Sequence, residues 1–197
     1  MPNLTAFLLY VFVTTFTPGP NNLMAMSNAI QYGYKRALGF LAGMTAGFVL
    51  VMLASGLLNV ALVQVLPQTR LWLNLGGAAY LVYLALHTIL SRPPGSDEAG
   101  KSALNTFWAG FTLQFLNLKV ILYGVTVYSL FITPSFNNPW VVALFAPLLA
   151  AVGFSSISCW ALGGSLFRAF WVRYYRAFSI VMGAFLLYSA WASIWGH

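Results

Sequence analysis

Thr17-Pro18-Gly19-Pro20-Asn21-Asn22 interrupts what would otherwise be one apolar helix from about Leu4 to about Ala29. Pro18 and Pro20 each lack an N–H and crowd the carbonyl four residues back, those of Thr14 and Phe16. In hydrocarbon, freed groups of this kind cost several kcal/mol unless a partner satisfies them. The stretch therefore reads as a helix break lining a polar cavity, with the rest of the chain arranged around it.

Composition fixes the solvent of the surrounding helix. Of 197 residues, 60% are apolar and 6% charged, against about 25% charged in ordinary globular domains. Nearly continuous apolar runs of this kind predict an all-α polytopic membrane protein. The alternating ten-residue pattern of a membrane barrel is absent. The net charge of +7 does not point to nucleic acid, because the cations lie at the ends of apolar runs. One cysteine, Cys159, excludes an internal disulfide and a multi-thiolate metal site, and reads as a small apolar filler. Met1 to Phe16 lacks a basic start and a small-residue cleavage site, so no removable signal is expected.

Six transmembrane helices are expected, at about Leu4–Ala29 (broken), Gly39–Leu66, Leu71–Leu90, Asn105–Thr133, Trp140–Gly164 and Phe178–Trp195. They form a single transporter domain, 1–197, whose halves 1–90 and 104–197 are joined by a linker, 91–103. That linker is rich in Pro, Gly and Ser and holds both acids, Asp97 and Glu98. With the N-terminus outside, Lys35, Arg36, Arg92, Lys101, Arg168, Arg173 and Arg176 fall on the cytoplasmic side and only Arg70 outside. Both termini are therefore expected on the outer side. Three spans per half is an odd number, so a duplicated half must be inverted. Correspondences about a hundred residues apart agree: the Pro18 break with Asn117-Leu118-Lys119, and Gly39, Gly43 and Gly47 with Pro139, Ala143, Pro147 and Ala151.

Lys119 is the sharpest candidate for function. A lysine at the centre of a lone membrane helix costs roughly 3 kcal/mol on insertion scales, and both acids lie in the linker. It is either a structural pin on freed backbone carbonyls or a site whose partner arrives from outside, a substrate carboxylate or a proton. The break completes the second reading. Its outer half-helix presents free carbonyls, which attract an ammonium, and its inner half-helix presents free N–H groups, which attract a carboxylate, with Asn21 or Asn22 as caps. A zwitterion suits such a break, and an amino acid is the obvious one. Thr17, Pro18, Gly19, Pro20, Asn21, Asn22, Gln114, Asn117, Lys119 and Tyr123 make up the expected binding site. Gly19 is the expected hinge, as the one break residue free to take positive φ, and Lys119 the candidate for proton coupling.

Gly39, Gly43 and Gly47 form a small-residue ridge that lets helices approach closely. The spacing leaves open whether it packs within the chain or across a homo-oligomer. His87 stands without a second ligand type, so no metal is expected; no phosphate-binding loop or cofactor motif is present. A membrane-embedded enzyme would need more than His87 and Cys159, which lie on different spans. A structural or assembly protein would use the glycines but not an unpaired central lysine.

Thr17 to Asn22, with Gly33-Tyr34-Lys35-Arg36, Gly39-Phe40-Leu41-Ala42-Gly43 and Gly47, resembles the N-terminal signature of the LysE/RhtB family of bacterial amino-acid exporters. Gly77-Ala78-Ala79-Tyr80-Leu81-Val82-Tyr83-Leu84 resembles its third-helix motif. Gln114-Phe115-Leu116-Asn117-Leu118-Lys119 is similar to its Asn-Pro-Lys motif, with Leu118 where the proline usually stands. That departure leaves only the break in the first span secured by proline. With Lys119-Val120-Ile121-Leu122-Tyr123-Gly124-Val125-Thr126, the chain looks closest to the cysteine/O-acetylserine exporter branch. The resemblance implies a secondary exporter of small neutral amino acids in the bacterial inner membrane. It also implies coupling to the proton gradient, as an antiporter; from the residues themselves, both termini are expected in the periplasm and the site at the midplane between helices 1 and 4.

Overall fold

The computed structural model of the chain describes residues 4–59, 75, 78–86, 88–90, 105–166, 170 and 173–195. The expected linker, His87, most of the third span before Ala78 and the end of the second beyond residue 59 lie outside these. Every regular element described is helical: α1 Leu4–Phe16, α2 Pro20–Tyr32, α3 Tyr34–Leu57, α4 Ala78–Leu90, α5 Phe107–Leu116, α6 Leu118–Val127, α7 Pro139–Leu166 and α8 Tyr175–Trp195. A π turn, Tyr128–Ile132, extends α6.

α3 and α7 are each long and apolar enough to cross a membrane, and α5 with α6 makes a third crossing bent by 63°. Large apolar side chains such as Leu8, Leu9, Phe12, Leu144, Leu148 and Ile180 face outward. In water that surface would demand partners; against lipid it needs none. The protein is thus an all-α membrane protein.

Small residues set the helix spacing, because lipid offers no hydrophobic drive for association. A Cβ on Gly43 would run into the Phe107 backbone, and one on Gly47 would lie 2.7 Å from the Phe111 carbonyl oxygen. On the facing helix, a Cβ on Gly110 would lie 3.0 Å from the Met44 nitrogen. The ridge of α3 is therefore occupied by α5 of the same chain. Gly39 meets nothing within 4 Å, so two of the three ridge glycines are unavailable to a second copy. α2 lies against α7 by the same means, with Gly164 close under the Met26 carbonyl. Gly33, at φ 84°, makes the corner between α2 and α3, a conformation that L side chains rarely adopt.

Two large apolar clusters, with a smaller one of Leu23, Ile30 and Met182, fill the interior. One gathers Met24, Phe40, Met44, Leu84, Leu113 and Leu186; the other gathers Phe7, Met52, Val120, Tyr128 and Leu149. Both helix breaks fall at the seam between them.

Candidate functional site

The first break occupies Thr17 to Gly19, between α1 and α2. Gly19 is extended, at φ −167° and ψ 176°, and α2 starts directly on Pro20, where the missing N–H costs nothing. The last carbonyls of α1 are then left without helical donors, and side chains from three other segments supply them. Asn22 Nδ2 donates to both the Thr15 and Thr17 carbonyls at 3.0 Å. Ser156 Oγ donates to Thr15 O at 3.0 Å, and Trp160 Nε1 to Phe16 O at 3.3 Å. Lys119 Nζ donates to Thr17 O at 3.1 Å. The Thr17 hydroxyl turns back to the Val13 carbonyl.

Two expectations change here. Asn22 does not cap the N–H groups of α2; its amide closes the carbonyl end of α1, and no side chain caps the start of α2. Gly19 does not use positive φ. Its lack of a side chain instead makes room for the lysine, since a Cβ there would lie 3.0 Å from Lys119 Nζ and 3.2 Å from its Cδ.

The second break needs no proline. Asn117, at φ −89° and ψ 96°, leaves the helical region and caps α6, accepting from the Lys119 N–H at 3.1 Å. Capping by asparagine supplies about 1 kcal/mol, and the 63° bend between α5 and α6 follows. Asn21 then ties the two breaks together. Its Oδ1 accepts from Asn117 Nδ2 at 2.8 Å and from Gln114 Nε2 at 3.3 Å, while its Nδ2 donates to Gln114 Oε1 at 2.7 Å. Gln114 is fully buried and donates also to Gly110 O at 3.2 Å. A buried amide network satisfied this fully fixes the depth of one break against the other.

A cavity of about 60 Å³ lies beside this junction, well above the ~10–15 Å³ that a single water needs. Of the ten residues expected in the site, Gly19, Asn21, Asn22, Gln114, Asn117, Lys119 and Tyr123 line it. Thr17, Pro18 and Pro20 shape the break without lining the cavity, and Pro18 faces a separate groove. The Tyr123 hydroxyl, beside the Thr15 side chain, makes no hydrogen bond of good geometry and is a donor held ready at the wall. Further wall comes from residues the sequence reading missed, among them Thr14 and Thr15 of α1, Thr45 and Phe48 of α3, and Gly153 and Phe154 of α7. The run Ser155-Ser156-Ile157-Ser158 was the legible signal on α7, since hydroxyls cluster in membrane helices where they have an interior to face.

Among the described residues no group of three His, Cys, Asp or Glu side chains comes together. Cys159 is free and exposed on α7, outside the cavity lining. The cavity offers one ammonium, one uncapped helix start, several amides and a phenol, and its lining includes no carboxylate or imidazole.

Residues 12–193 match the family model described as LysE type translocator. The cysteine/O-acetylserine efflux protein of Klebsiella pneumoniae subsp. pneumoniae is 39% identical over 192 residues, covering 95% of this chain and 94% of that protein. The protein of the same name from Escherichia coli K12 is 40% identical over 188 residues, covering 95% of each. No solved structure matches.

Proposed function

We propose that this chain, which belongs to the LysE type translocator family, exports small neutral amino acids of the cysteine/O-acetylserine kind. It is a transporter and not an enzyme. The membrane is the bacterial inner membrane, and the fold is read as six spans in two inverted halves, 1–90 and 104–197.

One observation carries the reading: the Lys119 ammonium stands at the cavity wall with a backbone carbonyl, Thr17 O at 3.1 Å, as its one acceptor among the described residues. A neutral acceptor leaves the charge uncompensated, so an arriving carboxylate is the better partner. The uncapped start of α2 at Gly19 and Pro20 adds a second attraction for the same group. As Lys119 turns to the carboxylate, Thr17 O is released to accept the substrate's ammonium. Lys119 and the break thus exchange their mutual bond for two bonds to a zwitterion. The side chain is left to a space bounded by Phe48, Tyr123 and Phe154, which suits a small neutral group. Lys119 is also the candidate group for coupling to protons, and rocking of the two halves about the Asn21 junction would expose the site to each side in turn.

Counterflow of labelled cysteine and O-acetylserine into proteoliposomes preloaded with unlabelled amino acid tests this. The expected result is accumulation above the equilibration level, abolished by Lys119→Met. Absence of exchange across a broad amino-acid panel, by protein that remains folded, would overturn it.

A further inference from the structure

On the far side of the first break lies a second concavity, a groove of about 500 Å³ with a wholly apolar lining. Pro18, Met26 and Trp160 form one wall; Tyr174, Val181 and Phe185 form the other. The stretch from Tyr174 to Phe185 rises about 16 Å at about 1.5 Å per residue, close to half of the roughly 30 Å hydrocarbon core. The wall from Tyr174 to Phe185 is therefore about as long as one leaflet is deep, and Pro18 of the first break lines the same groove. Arg173 and Arg176, both exposed, flank Tyr174 in the sequence. The Arg173 guanidinium lies 5.8 Å from the centroid of the Tyr174 ring, and no described residue is an acid.

We propose that this groove binds an anionic phospholipid, with one acyl chain against Pro18 and Trp160 and the headgroup phosphate on Arg173 and Arg176. Two independent features point to that occupant. The length of the apolar wall fits a single leaflet's chain, and the paired arginines flanking Tyr174 complement a phosphate that carries net negative charge. A helix from a second copy would fill the apolar part and leave the arginines unanswered. Trp160 links the groove to the interior, because its Nε1 holds the Phe16 carbonyl at 3.3 Å. A chain packed on that indole stabilises the side chain that closes α1, so the lipid binds the intact break and raises the stability of the fold.

The test uses the full-length protein, delipidated in detergent and titrated with phosphatidylglycerol or with phosphatidylcholine of identical chains. Native mass spectrometry reads retention and thermal melting reads stabilisation. Phosphatidylglycerol is expected to be retained preferentially and to raise the melting temperature. Arg173→Gln and Arg176→Gln should each reduce that preference roughly fivefold while leaving the melting of the lipid-free protein unchanged. Val181→Trp, at a half-exposed position, should reduce retention of both lipids. Equal retention of the two lipids by the unaltered protein, or an unchanged preference in the double glutamine variant, would overturn the proposal. So would a dimer that excludes lipid, or stabilisation by glycerol phosphate, which has the headgroup without chains, equal to that by phosphatidylglycerol. Every readout is independent of transport, so failure here and failure of the export reading remain distinct.

Discussion

Lys119 and Asn22 both donate to the Thr17 carbonyl, yet they are expected to fail in opposite ways. Replacing Lys119 by Met leaves that carbonyl with the Asn22 amide and removes a charge from the membrane interior. Folding stability should then change by no more than about 1 kcal/mol, while loss of a charged hydrogen bond, ~1.5–3 kcal/mol, weakens carboxylate binding ten- to a hundredfold. Melting curves with and without cysteine or O-acetylserine separate the two effects. Unchanged ligand stabilisation in this variant would leave Lys119 as a structural pin only. Asn22→Ala should do the reverse. The residue is buried, and its loss withdraws one donor from two carbonyls, which predicts ~1–3 kcal/mol of destabilisation, seen as a lower melting temperature before any ligand is added. Sequence reading located these residues because a proline's missing N–H is a local covalent fact. It could not assign Asn22 its partners, since the start of α2 and the end of α1 make equal claims on an amide until the chain is folded. Ser156 and Trp160 were out of reach for a plainer reason: their acceptors lie 141 and 144 residues away.

At the scale of elements, the two breaks reach the same end by different chemistry. The first is forced by Pro18 and Pro20. The second follows from Asn117, whose side chain competes with the backbone for the Lys119 N–H, as asparagine does at helix starts. Without a proline, that break was not secure in the sequence. The geometry nevertheless has room for one: Leu118 is the first residue of α6, and Asn117 already holds the extended conformation that precedes proline. Leu118→Pro is therefore expected to fold and to be neutral or stabilising by up to ~1 kcal/mol; a melting temperature several degrees lower would show that α6 does not start where it is drawn. The glycine ridge gives a paired prediction. Gly43→Val drives a side chain into the Phe107 backbone and should cost ~1–3 kcal/mol or more. Gly39→Val enters open space and should fall within about 0.5 kcal/mol of the parent. Sequence spacing identified the ridge but not its occupant, because a three-dimensional neighbour leaves no periodicity in the helix that it covers.

For the whole molecule, contacts among the described helices fix their directions relative to one another. Phe7 meets Phe145 and Phe131, with ring centroids 6.3 and 5.7 Å apart, while Asn105 Nδ2 donates to Arg36 O at 3.2 Å. The α1–α2 pair thus runs antiparallel to α5 and α6 and parallel to α7, whose Trp160 and Gly164 reach Phe16 and Met26. Asn59 bonds Ser129 at 3.0 Å, so the far ends of α3 and of the α6 extension share the face on which α1 starts. Lys35 and Arg36 fall on the opposite face, together with the end of α7 that leads to Arg173 and Arg176. Among the described residues every cation except Lys119 therefore stands on one side, a separation that the sequence could state only by assuming six spans. Excess Lys and Arg mark the cytoplasmic face, so the start of α1 and the end of α8 are expected in the periplasm. Alkaline phosphatase fused after His197 should be active, and a green fluorescent protein fused at the same point should be dark. The reverse pair of signals would invert the molecule, turn the groove beside Arg173 toward the outer leaflet, and reverse the direction in which the Thr17–Asn22 site opens first.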